Sequence, residues 1–127
     1  MDLFIIEAAM DYEYSNALSI WTKREEAEEE LFKAAMIHAT DETMSVRLWQ
    51  MEADTRDARN NRQLLTEISG DAVETVTAYS KNIEGVTMPT NVDELNALYQ
   101  HIRAQFDDAF EDGWKGFYDQ HQRFDRY

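Results

Sequence analysis

The chain has no cysteine, one proline and four glycines among its 127 residues. Without cysteine there are no disulfides, no thiolate zinc sites and no cysteine nucleophile. So little proline and glycine excludes a loop-dominated or collagen-like chain. No apolar run approaches the roughly 18 residues that a membrane-spanning helix needs. The start, Met1-Asp2-Leu3-Phe4-Ile5-Ile6-Glu7, has no basic segment and meets acid too early for a secretory signal. Basic residues are scarce too: 12 Lys plus Arg face 26 Asp plus Glu, for a formal net charge of −14.

That imbalance excludes several partners. Binding a phosphate backbone requires Lys and Arg to displace counterions, so direct nucleic-acid binding is not expected. An anionic membrane surface repels the chain for the same reason. The expectation is a cytoplasmic protein, in a bacterial host cell if phage-encoded, whose natural partners are basic surfaces and cations. What the chain does have is a 43% hydrophobic fraction with 12% aromatics. Highly charged disordered chains lack such aromatics, so a folded core is expected. The length suits one compact domain, 1–127, burying roughly 65–70% of its unfolded surface.

Along residues 2 to 14, Phe4, Ile6, Ala8, Met10, Tyr12 and Tyr14 are apolar or aromatic, while Glu7, Asp11 and Glu13 are charged. Period two predicts a strand with one buried face. Ser15-Asn16 is a turn signal. A three-residue loop, Ser15 to Ala17, would set Tyr14 opposite Leu18 and Tyr12 opposite Ile20, on a shared face. Thr22-Lys23-Arg24-Glu25 has the form of a capping box. It opens a predicted helix from Lys23 to Ala39, with acids at Glu25 to Glu30 favoured by the helix dipole. Alternation resumes from Met44 to Ala53, a third strand. The first 53 residues thus read β-β-α-β.

Arg56 to Ile68 is predicted as a helix closed by Gly70. Residues 72 to 79 stay open between strand and helix: β-branched residues favour one, Asp71 as a cap the other. Residues 85 to 90 form a loop, and Asn91 caps a long helix through Leu95, Leu98, Ile102, Phe106 and Phe110. Gly113 and Gly116 suggest a break near residue 113. The fold class is α+β: a small antiparallel sheet over about residues 3–53, then a mainly helical half with a long C-terminal helix.

Acid gathers at residues 1 to 22, 41 to 54 and 107 to 119. Carboxylates three or four apart on a helix stand about 5–6 Å apart at Cβ, near the spacing of phosphates along one strand. Such an array can fill a basic groove built for nucleic acid; it also simply keeps a small protein soluble. The candidate partner-binding residues are Asp107, Asp108, Glu111, Asp112 and Asp119 as phosphate surrogates, with Trp114 and Tyr118 as apolar anchors. Trp114, Phe117, Tyr118, Phe124 and Tyr127 serve equally as core or as an interface inside a charged rim. Asp108 to Asp119 partly resembles an EF-hand loop but has Phe110 where an oxygen ligand belongs and Asp119 in place of the bidentate Glu. His38, His101 and His121 make no His-x-x-x-His or Glu-x-x-His pair, so no metal or cofactor is expected. His38 and His101 are expected on partly buried helix faces. Arg56, Arg59 and Arg62 form the one basic stretch, expected to pair with acids such as Asp54, Asp57 and Glu67, or to meet a second copy or an anion.

No hydrolase, phosphate-loop or metalloprotease motif occurs, so catalysis is not expected. In charge balance the chain resembles small acidic phage and plasmid proteins of the anti-restriction and anti-CRISPR kind, which mimic DNA. The resemblance is one of class, with no shared signature sequence. The expected function is a non-catalytic inhibitor that binds a basic, nucleic-acid-facing surface of another protein. The alternatives are an adaptor or homodimer using the C-terminal aromatics, and an acidic cation-binding protein.

Overall fold

A computed structural model describes residues 1–10 and 14–109. Strands β1 (Asp2–Met10), β2 (Tyr14–Trp21), β3 (Met44–Glu52) and β4 (Gln63–Ser69) form one antiparallel sheet in the order β2-β1-β3-β4. Helices α1 (Arg24–His38), α2 (Gly70–Asn82) and α3 (Val92–Ala109) complete the described chain. The class is α+β, as expected.

The period-two pattern explains the layering. Phe4 and Ile6 of β1, Val46 and Leu48 of β3 and Ile68 of β4 share one face and are buried. Onto them pack Ala27, Leu31 and Ala35 of α1, Val73 and Val76 of α2, and Leu95 and Ile102 of α3. In α1 the buried positions recur every four residues, so a single stripe faces the sheet. Leu31 is wholly inaccessible; truncating such a side chain to alanine typically costs about 2–5 kcal/mol.

Several boundaries differ from the sequence reading. Met10 pairs with Tyr14 and Ile5 with Ile20, so β1 and β2 are joined through residues 11–13 and not through Ser15 to Ala17. The expected Tyr14–Leu18 pair is absent, and Tyr12 lies outside the described residues. Register decides the matter: with this pairing Trp21 stands beside Phe4 on the core face. Ser15 and Asn16, read as a turn, are exposed on an edge strand. A bulge at Leu18 interrupts the alternation that the sequence reading relied on, since Ile6 pairs with Ser19 but Glu7 with Ala17.

The predicted helix over 56–68 is instead a loop followed by β4. Leu64, Leu65 and Ile68 have spacing that suits a helix turn. They also suit a strand, and the free edge of β3 offers a full ladder of backbone partners. Residues 53–62 are a loop in which Asp54 and Asp57 take left-handed φ values of 63° and 54°, a conformation that aspartate tolerates better than most residues. Asp57 organises its tip, accepting from the Asn60 side chain at 2.8 Å.

Gly70 opens α2 and does not close a helix. A Cβ at this position would run into the Asp41 carbonyl, so the close approach of the 41–44 turn requires glycine. Ser69 is the cap, its Oγ accepting from the Ala72 N–H at 3.1 Å. Residues 72 to 79 are therefore helix. The Thr22 capping box does not form: α1 starts one residue later, with Lys23 at the cap and no side-chain cap bond. Asn91 does cap α3, accepting the Glu94 N–H at 2.8 Å. Glu94 reaches back to accept the Thr90 N–H at 2.9 Å. That bond, with the Thr90 hydroxyl second, holds the Glu94 carboxyl below the usual glutamate range. The break expected near residue 113 lies outside the described residues.

Candidate functional site

Asp107 and Asp108 belong to the last turns of α3, and their side chains lie outside the described set. Glu111, Asp112, Trp114, Tyr118 and Asp119 lie outside the described residues altogether. What the structure does bring together is a different acidic group. The first turns of α1 and α3 converge over β4. Between them lies a cavity of about 200 Å³ whose walls carry Glu25, Glu28, Glu29 and Asp93, with Thr66 and Asn91.

The local causes are plain. The exposed N-H groups at a helix start favour acid, and α1 carries Glu25 and Glu26 there while α3 carries Asp93 and Glu94. Burying Ala27 and Leu31 against the sheet directs the residues between them outward. Arg24 pairs with Glu28 at 3.0 Å, but the two side chains are 54% and 45% exposed; such pairs contribute under about 1 kcal/mol. The rim therefore stays strongly negative. Among the described residues no group of three or more His, Asp or Glu is arranged to hold a metal ion. The cleft is chemically suited to spread cations such as guanidinium and ammonium groups.

A second charged group sits on the sheet face away from the helices. Glu7, 5% exposed, is its centre. It accepts from Arg62 Nη1 at 2.9 Å and from Trp49 Nε1 at 3.2 Å, with Arg47 Nη1 at 3.9 Å. Arg47 also pairs with Glu67. The register explains this, because Glu7, Arg47 and Glu67 are direct cross-strand neighbours. Arg62 lies flat over the Trp49 ring, 3.8 Å from its centroid, a cation–π contact of about 0.5–2 kcal/mol. Two acids and two bases here balance to zero.

Sequence reasoning missed both groups. Glu25 to Glu30 read as dipole-favoured helix charge, with no signal that Asp93 would join them from more than 60 positions away. Glu7 read as an outward charged position. The expected pairing of the arginine stretch is met in kind by Arg62, though with Glu7. Arg56 and Arg59 make no ion pair among the described residues. His38 is half-buried as expected, whereas His101 is exposed, because α3 turns Ile102 and not its neighbour to the core.

Among the described residues no helix is long and apolar enough to cross a membrane. No family model matches the chain, and no curated protein or solved structure matches it either.

Proposed function

We propose that the chain is a non-catalytic acidic binding protein that occupies a basic, nucleic-acid-facing surface of another protein, in the manner of a DNA mimic of the anti-restriction or anti-CRISPR type. The observation that carries this reading is the convergence of Glu25, Glu28, Glu29 and Asp93 from two helix starts onto one cleft. The bases Arg47 and Arg62 are engaged on the other side of the sheet and do not neutralise that rim. Carboxylates three and four apart on α1 repeat at roughly the spacing of backbone phosphates. Asp107, Asp108, Glu111, Asp112 and Asp119 extend the array in this proposal, with Trp114 and Tyr118 supplying desolvated contact area.

Affinity capture from a host lysate at low and high salt tests it. A charge-driven partner should elute as salt rises, because counterion release and screening dominate such binding. Changing Glu25, Glu28, Glu29 and Asp93 to Gln or Asn should weaken capture without unfolding the domain. The same neutralisation of Asp107, Asp108, Glu111 and Asp112 measures the C-terminal share. A partner held unchanged at high salt, or by both neutralised variants, would sink the proposal.

A further inference from the structure

We infer that β2 is a pairing edge: its outer side takes the same strand of a second copy, antiparallel, so that two four-stranded sheets join into one of eight. The inference is independent of the acid array, which lies on the helical layer. β2 (Tyr14–Trp21) ends the sheet order β2-β1-β3-β4, and among the described residues only β1 pairs with it. Its outer backbone N–H and C=O groups are therefore open to a further strand. Edge strands are normally blunted by lysine, proline or inward-pointing charge. In a chain with 30% charged residues, β2 reads Tyr-Ser-Asn-Ala-Leu-Ser-Ile-Trp and has none of these. The bulge at Leu18 is the one such device, and the residue it adds is an exposed leucine.

Two arguments select a second copy as the occupant. The first is self-complementarity. Leu18 and Ile20 are the exposed large apolar residues of β2, at 38% and 62%. An antiparallel pair with its two-fold axis at Ser19 sets Leu18 of each copy opposite Ile20 of the other, so the apolar pair leaves water on both sides of the axis. Trp21 then stands opposite Ala17, and Asn16 opposite Thr22. The second is charge. The chain carries −14, so two copies meet most readily where acid is missing. Residues 14–24 hold Lys23 and Arg24 and no acid, so a basic partner is repelled here and an acidic copy is not. Helix α1 packs chiefly over β3 and β1. With strands about 4.8 Å apart, the α1 helices of the two copies stand about 19 Å from one another, beyond the roughly 8 Å screening length of physiological salt. Their glutamates therefore repel weakly.

Sedimentation velocity and amide hydrogen exchange of the full chain test this, between about 5 and about 200 µM protein. Dimer should grow with concentration, and also from low salt to about 0.5 M salt, as screening relieves the remaining repulsion. Exchange of the β2 amides should slow by at least about threefold over the same concentration range, because pairing covers N–H groups otherwise open to water. Capture of a basic partner weakens with salt, so the two ideas fail separately. Leu18→Lys combined with Ile20→Lys supplies the missing edge charge and should weaken association by at least about tenfold while leaving the circular dichroism spectrum intact. Should that pair unfold the chain, Ile20→Lys alone carries the same expectation at the more exposed site. A wild-type chain that stays monomeric at about 200 µM in about 0.5 M salt overturns the inference, even if a lysate protein is found on this edge. A dimer that survives the substitutions, or one that leaves β2 exchange unchanged, overturns it as well.

Discussion

Glu7 and Arg62 stand 55 positions apart in the chain and meet at 2.9 Å across the sheet, carboxylate to guanidinium. The Glu7 side chain is 7% exposed and that of Arg62 18%, so this pair is shielded where most of the ion pairs among the described residues are not. Removing one partner leaves the other poorly solvated. Glu7→Gln should destabilise the fold by about 2–3 kcal/mol, less than a wholly buried pair because both arginines keep some access to water. Arg62→Ala should cost a comparable amount, since it also uncovers Trp49. A double-mutant cycle by denaturant unfolding should return a coupling energy above about 1 kcal/mol. Additive losses would mean that the two side chains are held independently.

Gly70→Ala reverses a common expectation. Alanine in a helix is normally better than glycine by up to about 1 kcal/mol. Here the added methyl meets the Asp41 carbonyl, which is backbone and cannot swing aside. The substitution should destabilise by about 1–3 kcal/mol, as overpacking does. The midpoint of urea unfolding measures it, and a midpoint that rises would show that the 41–44 turn yields freely.

The start of α3 should depend on acid. The Thr90 N–H and hydroxyl hold the Glu94 carboxyl below its ordinary value of 4.5. A lowered folded-state value means that this stabilisation is complete above the unfolded value and fades as pH falls through the folded one. Glu94→Gln should therefore melt below the wild type at neutral pH. The gap should close as pH drops through the carboxylate range. A gap that is constant with pH would assign the effect to packing.

Tyr99 should show the opposite dependence at high pH. Burial first, and the Asp71 carboxylate that accepts its hydroxyl at 2.6 Å second, raise the phenol above the ordinary 10.0. The folded state keeps a proton that the unfolded chain gives up, so stability is lost as pH rises past the ordinary value and through the folded one. Tyr99→Phe should remove that share of the alkaline loss and lower stability near neutrality by about 1 kcal/mol. Denaturant unfolding across the alkaline range checks both effects.

How far the sequence spoke depended on whether neighbours in the chain were also neighbours in space. β1, α1, β3 and the Asn91 cap were legible because each carries a local period or a local cap. β4 was not, since Leu64 and Ile68 fit either period and only the free edge of β3 chooses between them. The β1–β2 register was obscured by a single extra residue at Leu18, which breaks the alternation from within. The acidic cleft was half legible: the glutamates of α1 were visible as a cluster. Their meeting with Asp93 depends on how α3 lies across the helical layer, which no local pattern carries.

The row of Glu7, Arg47 and Glu67 also marks one register of the sheet. β4 is the last strand of the sheet in chain order and lies at its edge, and its two leucines and isoleucine would suit more than one alignment against β3. Sliding β4 by one residue would drive Glu67 toward Val46 and Leu48 and lift Ile68 into water. Arg47 would lose its counter-charge and Arg62 its carboxylate in the same step. Apolar burial and ion pairing thus select the same alignment of β4, so a misaligned sheet loses both together.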